Sequence, residues 1–176
     1  MKFVKTPLQG VFILELEKIE DDRGFFARSF CQEEFTSHNL DPVIKQCNIS
    51  YNKHKGTIRG MHFQRAPYQE AKVVSCISGS IYDVIIDLRK DSPTYCQWYG
   101  IELKANEYKS LYIPEGFAHG FQTLEPETLI HYQISEFYKP DYAEGVRWND
   151  PVFNIQWPVK ITSISEKDKN YPDYKK

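Results

Sequence analysis

Turn signals interrupt the chain about every eight to twelve residues, and the runs between them are short and rich in β-branched and aromatic side chains. Asp21-Asp22-Arg23-Gly24, the polar stretch 52–56, Ser78-Gly79, the turn around Asn106 and Pro114-Glu115-Gly116 supply Asp, Asn, Pro and Gly, which favour tight turns. Strand candidates lie between them at 11–17, 25–30, 43–51, 56–64, 72–77, 80–88, 98–103, 110–114, 117–124 and 128–137. Alternation sets Val11, Ile13 and Glu15 against Phe12, Leu14 and Leu16, and Tyr82, Val84, Ile86 and Leu88 against Asp83, Ile85 and Asp87. Residues 72–77 and 80–88 read as two arms of a hairpin flanking Ser78-Gly79. Before the tail only 31–39 looks helical, stopped by Asn39 and Asp41-Pro42. This pattern predicts an all-β sandwich or barrel. Residues 1–176 form one domain on this reading, with a mostly irregular or weakly helical tail from Trp148.

A chain of 176 residues can bury one good core and is short for two. Its 41% hydrophobic content argues against disorder, and its 15% aromatic content suits a sheet protein with a ring-stacking cavity. A net charge of −2 excludes a general nucleic-acid binder, so an anionic ligand would need local arginines. The four cysteines form no C-x-x-C pair or metal-finger spacing, which fits a reducing compartment. No apolar run approaches a membrane span, and the first residues lack a secretory pattern. A soluble, cytoplasmic protein without membrane partners is expected.

The stretch 56–64, Gly-Thr-Ile-Arg-Gly-Met-His-Phe-Gln, places Arg59 and His62 in an otherwise apolar strand. Such groups are costly there unless they face a ligand-filled cavity. Strict alternation would send them to opposite faces, so Gly60 is expected to bulge and re-aim one of them. The plainer alternative is a surface arginine beside a satisfied core histidine.

His62, Lys72, His119 and Tyr132 recur at strand edges pointing the same way. Tyr132 alternates with Ile130 and Ile134, so its ring faces inward and its hydroxyl needs a partner. Each has a plain alternative: a packed core tyrosine, an exposed edge lysine beside Glu70, a histidine shaping a glycine-bounded turn.

In order along the chain come Asp22-Arg23-Gly24-Phe25-Phe26, Gln46-Cys-Asn48-Ile-Ser50, the 56–64 stretch and Lys72-Val73-Val74. Gly79-Ser-Ile-Tyr-Asp-Val-Ile-Ile-Asp-Leu-Arg89, Ser92-Pro93-Thr94 and Ile113-Pro-Glu-Gly-Phe-Ala-His119-Gly-Phe follow. Tyr132, Tyr138, Trp148-Asn149-Asp150-Pro151, Ile155-Gln-Trp157-Pro158 and Ser165-Glu-Lys-Asp168 complete the series. The chain resembles the dTDP-4-dehydrorhamnose 3,5-epimerase family, a branch of the cupin β jelly rolls. The resemblance implies that His62 is a general base kept basic by Asp168, although Asp168 could instead cap a short helix. It implies that Tyr132 is the acid on the opposite sugar face and that Lys72 holds the oxygen that becomes anionic. Arg23 and Arg59 would grip a pyrophosphate, which suits the guanidinium fork. Gln46 and Asn48 would bond the sugar, and His119 would line the pocket. Phe26 and Tyr138 would flank the base, with Phe26 donated by a second subunit through exchanged N-terminal strands in a homodimer. The implied substrate is a nucleotide-diphosphate 4-keto sugar, and no cofactor or metal is required.

One position departs from the pattern. Many members carry a glutamate where this chain has Arg28, after Phe25-Phe26-Ala27. Glutamate accepts hydrogen bonds and arginine only donates, so another nucleotide, or inversion of one carbon only, also fits. A metal-dependent cupin is the nearest rival, with His62, Glu70 and His119 at a similar spacing. Gln64 stands there for an imidazole and is a poor ligand, and an inward Lys72 would repel the cation. A non-catalytic sugar-binding jelly roll would have no use for a His–Asp pair facing a tyrosine. A ketoisomerase relative is disfavoured by Tyr132.

Overall fold

A computed structural model describes residues 1–176. In chain order the strands are β1 (Lys2–Lys5), β2 (Phe12–Glu15), β3 (Ile19–Asp21), β4 (Gly24–Phe26), β5 (Gln46–Asn52), β6 (Thr57–Gln64) and β7 (Lys72–Ser78). Then come β8 (Ser80–Asp87), β9 (Trp98–Lys104), β10 (Lys109–Ile113), β11 (Phe117–Thr123), β12 (Thr128–Ile134), β13 (Ala143–Gly145) and β14 (Ser163–Ile164). Helices α1 (Gln32–Ser37) and α2 (Glu166–Lys169) are short. One sheet runs β1-β2-β10-β7-β12-β5 and the other β13-β6-β11-β8-β9, with β14 also on β6, while β3 and β4 pair only with each other. This is a cupin-type β jelly roll.

The alternation of apolar side chains explains the layering. Ile13 of the first sheet, with Val11 just before β2, meets Ile81, Ile85 and Phe121 of the second in the inter-sheet core. Leu14 and Val73 point the other way, onto Phe35 of α1. Val84 and Ile86 leave the second sheet on its outer side, where Val146, Phe153 and Ile155 of the C-terminal segment cover them. Strand β8 is therefore buried on both faces, as its nearly continuous apolar run requires. Buried Asp87 accepts from Arg89 at 2.7 Å, Ser92 at 2.6 Å and Thr94 at 2.7 Å, which pins the loop after β8.

The expected hairpin at Ser78-Gly79 does not form. Strand β7 pairs with β10 and β12, and β8 with β9 and β11, so the chain changes sheets at Gly79. Gly79 has φ +77°, and a Cβ there would meet Thr128 Oγ1 at 2.5 Å. The close approach, not a hairpin turn, explains the glycine. The expected strand 25–30 stops at Phe26, because Phe30 turns inward to pack on Phe35 with ring centroids 4.9 Å apart. The strand expected from residue 43 begins at Gln46, and the helix is trimmed to α1, after which Asn39 takes φ 58°. No helix is long and apolar enough to cross a membrane.

Candidate active site

The bulge expected at Gly60 is present. His119 faces His62 and Phe121 faces Arg59, so two steps on β11 match three on β6. Gly60 has φ +124°, and a Cβ there would collide with Gly120 Cα and the His119 carbonyl oxygen. The extra residue brings Arg59 and His62 onto one cavity of about 650 Å³, a size usual for small-ligand sites. Gln46, Asn48, Lys72, Tyr132 and Tyr138 reach the same cavity from the facing sheet and its flanks, and His119 lies beside His62.

Asp168 arrives through the tail. Strand β14 runs parallel to β6, with Ser163 opposite Thr57 and Ile164 opposite Ile58, and α2 follows at once. Ser165 caps that helix by accepting the Asp168 amide at 3.1 Å. The Asp168 carboxylate is therefore not the cap. Its Oδ1 accepts from His62 Nε2 at 2.7 Å and its Oδ2 from the Gly60 amide at 3.3 Å. A neutral imidazole that donates to the carboxylate from Nε2 has its lone pair on Nδ1. Burial pushes the Asp168 carboxyl up, but the His62 hydrogen bond and charge, with Gly60 and Ser165, outweigh it and hold it below the usual value.

That shift has a defined sign. A carboxyl depressed in the folded state contributes stability that is complete above its ordinary value of 3.8 and lost as pH falls through the lower folded value. Asp168→Asn is expected to be less stable than the parent at pH 7 and to converge with it below pH 3.8. Urea midpoints measured across that range check this, and parallel curves would contradict it.

His119 and Asp83 form a second pair, with His119 Nε2 2.7 Å from Asp83 Oδ1 and both side chains buried. Asp83 Oδ2 is buried without a hydrogen-bond partner. The Tyr132 ring meets the His119 ring edge-on at 6.1 Å. Burial, and then the Asp83 carboxylate, push the Tyr132 phenol far up, against a smaller pull from Arg59. Tyr132 is thus a neutral phenol across the physiological range. Lys72 Nζ is 2.9 Å from Glu70 Oε1 and donates to the His62 carbonyl at 3.3 Å. Arg59 is fixed by Asn52 Oδ1 at 2.7 Å, and Gln46 Oε1 accepts the Tyr138 amide at 3.0 Å.

Two expected ligands lie elsewhere. Arg23 is exposed in the β3–β4 turn and pairs with Asp21 at 2.5 Å, and Phe26 is 73% exposed on β4. Neither lines this chain's cavity. They sit on a hairpin that joins neither large sheet. Arg28 is tied to Glu34 at 2.9 Å. Gln64 gives its amide hydrogens to the Tyr68 and Phe137 carbonyls and accepts the Lys139 amide. No group of three His, Cys, Asp or Glu is placed to hold a metal ion.

Sequence reasoning assigns no role to Asp83, Glu144, Lys167 or Tyr171 and offers Glu70 only as a ligand in the metal-dependent alternative, yet Asp83 holds His119 and the other four line the cavity. Asp83 had a readable signal, since an aspartate inside the apolar run Ile81–Ile86 needs a buried partner. Tyr171 had none, because the tail that lays it near His62 carries no periodicity.

A model of the dTDP-4-dehydrorhamnose 3,5-epimerase family matches residues 5–176. The chain belongs to the dTDP-4-dehydrorhamnose 3,5-epimerase family. It is an isomerase of the epimerase kind. A dTDP-4-dehydrorhamnose 3,5-epimerase of Methanothermobacter thermautotrophicus is 42% identical over 173 residues, 97% of this chain and 92% of that protein. The crystal structure of the Bacillus anthracis epimerase, with TDP and PPi bound, superposes with a TM-score of 0.94 at 42% identity, covering 98% of this chain and 99% of that one. A 3'-monoepimerase from Streptomyces bikiniensis, bound to dTDP-quinovose, has a TM-score of 0.87 at 29% identity over 96% of this chain and 85% of that one.

Proposed function

We propose that this epimerase inverts C3 and C5 of dTDP-4-dehydro-6-deoxy-D-glucose to give dTDP-4-dehydro-L-rhamnose, without a cofactor. The single observation that carries the reading is His62, backed by Asp168, sharing one cavity with Tyr132 of the opposite sheet. The 4-keto group acidifies the hydrogens at C3 and C5, because the carbanion delocalises onto O4. His62 takes each proton, Lys72 stabilises the oxygen as it becomes anionic, and Tyr132 returns a proton from the other face. Arg59 faces the diphosphate, Gln46 and Asn48 the sugar, His119 the pocket wall and Tyr138 the base.

A second copy of the chain is proposed to bring Arg23 and Phe26 to this cavity. Their exposure on a projecting hairpin supports this, as do the uncovered Ile49, Tyr51 and Ile77 on the first sheet. The four unpaired cysteines suit a cytoplasmic setting.

Inversion of one carbon only is the second reading, favoured by the similarity to a 3'-monoepimerase. Arg28 keeps a different base open. Incubation in D₂O with candidate 4-keto nucleotide sugars, followed by NMR, is expected to show deuterium at C3 and C5 of the dTDP sugar. Label at one carbon supports the second reading, and label at neither carbon of any candidate overturns the epimerase assignment.

A further inference from the structure

We propose that Glu70 is a positioning residue of the epimerisation, acting through Lys72; the inference rests on the reading above, in which Lys72 meets the developing enolate oxygen. An ammonium has three N–H donors. Glu70 Oε1 at 2.9 Å takes one and the His62 carbonyl at 3.3 Å takes another, which leaves one for a ligand. Two fixed acceptors stop the rotation of the group, and the second ties the cation to the strand that carries the base. Both side chains are close to fully buried, at 7% for Glu70 and 11% for Lys72, while lining the cavity.

Burial disfavours the charged form of a lysine, and a carboxylate in contact restores it. Glu70 is the only carboxylate paired with Lys72. Among the other titratable and charged groups lining the same cavity are His62 and Arg59 on β6, His119 on β11, Tyr132 on β12 and Glu136 beyond it, and the charge of Glu70 is felt by Glu115 in the β10–β11 turn. Glu136 is already held by Lys45 at 2.6 Å. Burial, and then Asp41, Glu70 and Glu136, push the Glu115 carboxyl up, so it is a weaker counter-charge.

A role in stability alone explains Glu70 poorly. Its Oε2 makes no hydrogen bond within the chain, so the fold uses only one of its two oxygens. The carboxylate is therefore best accounted for by what it does to the neighbouring cation.

Glu70→Gln keeps an acceptor oxygen and removes the charge. The test compares kcat, KM and thermal stability for the parent, Glu70→Gln and Glu70→Asp on the 4-keto sugar that the parent turns over. In Glu70→Gln, kcat is expected to fall about 10- to 100-fold with KM nearly unchanged. Glu70→Asp should recover part of that loss in kcat, and it carries the test alone should Glu70→Gln fail to fold. An unchanged kcat, or a loss confined to KM or to thermal stability, overturns the role of Glu70 and leaves the epimerase reading standing. A parent that labels no candidate sugar overturns both.

Discussion

His62→Asn is expected to lower turnover about 10²- to 10⁴-fold while the protein stays folded and binds the nucleotide sugar within a few-fold of the parent. The size follows from what is removed. Asparagine cannot accept a proton near neutral pH, as an imidazole can. Tyr132 cannot replace the base, because burial and Asp83 keep it protonated. Binding survives because His62 is one wall residue among many, and Arg59, Gln46 and Asn48 keep their places on other parts of the cavity. A carboxamide can still donate to Asp168, so the loss of stability should be modest. Deuterium uptake at C3 and C5 measures the chemistry, and calorimetric titration with the nucleotide diphosphate measures the binding. Turnover within about tenfold of the parent would remove His62 from the base role, since a general base contributes more than that. A pure sugar-binding jelly roll would show no turnover to lose.

Much of this geometry was legible in the sequence because it is local. Alternation in a strand assigns faces, so Val11 and Ile13 against Leu14, and Tyr132 between Ile130 and Ile134, needed no knowledge of neighbours. The bulge at Gly60 followed from two polar residues that alternation alone would separate. Strand pairing is a different matter. The partners of β7 are β10 and β12, both far along the chain, and nothing in Ser78-Gly79 distinguishes a corner between sheets from a hairpin. The same holds for partners of buried charge: Asp83 and Glu70 show in the sequence only as polar residues, and what each holds depends on which strand lies opposite. Arg23 and Phe26 are a third case, since a hairpin that leaves both large sheets has no register to read within one chain.

Gly60→Ala is expected to cost about 4 kcal/mol or more, at the exceptional end for a single substitution. Two penalties act there and can be separated. The first is conformational: at φ +124° a side chain is strained whatever the space around it. The second is steric. The new Cβ would meet Gly120 Cα, with the His119 carbonyl oxygen at 2.8 Å and the Gly120 amide nitrogen at 3.2 Å. All three are backbone atoms that cannot swing aside as a side chain would, so β6 and β11 would have to part. Gly10 supplies the control, because its φ of +85° is also left-handed but its nearest neighbour, Pro114 Cγ, is 3.5 Å from the added Cβ. Gly10→Ala should therefore lose only about 1–3 kcal/mol, the conformational part. Urea unfolding of the two variants gives the difference directly. Equal losses would mean that the close approach of the two strands does not matter. A larger loss in Gly60→Ala, together with deuterium uptake that falls further than the folded fraction explains, would tie the aim of Arg59 and His62 to that one missing side chain.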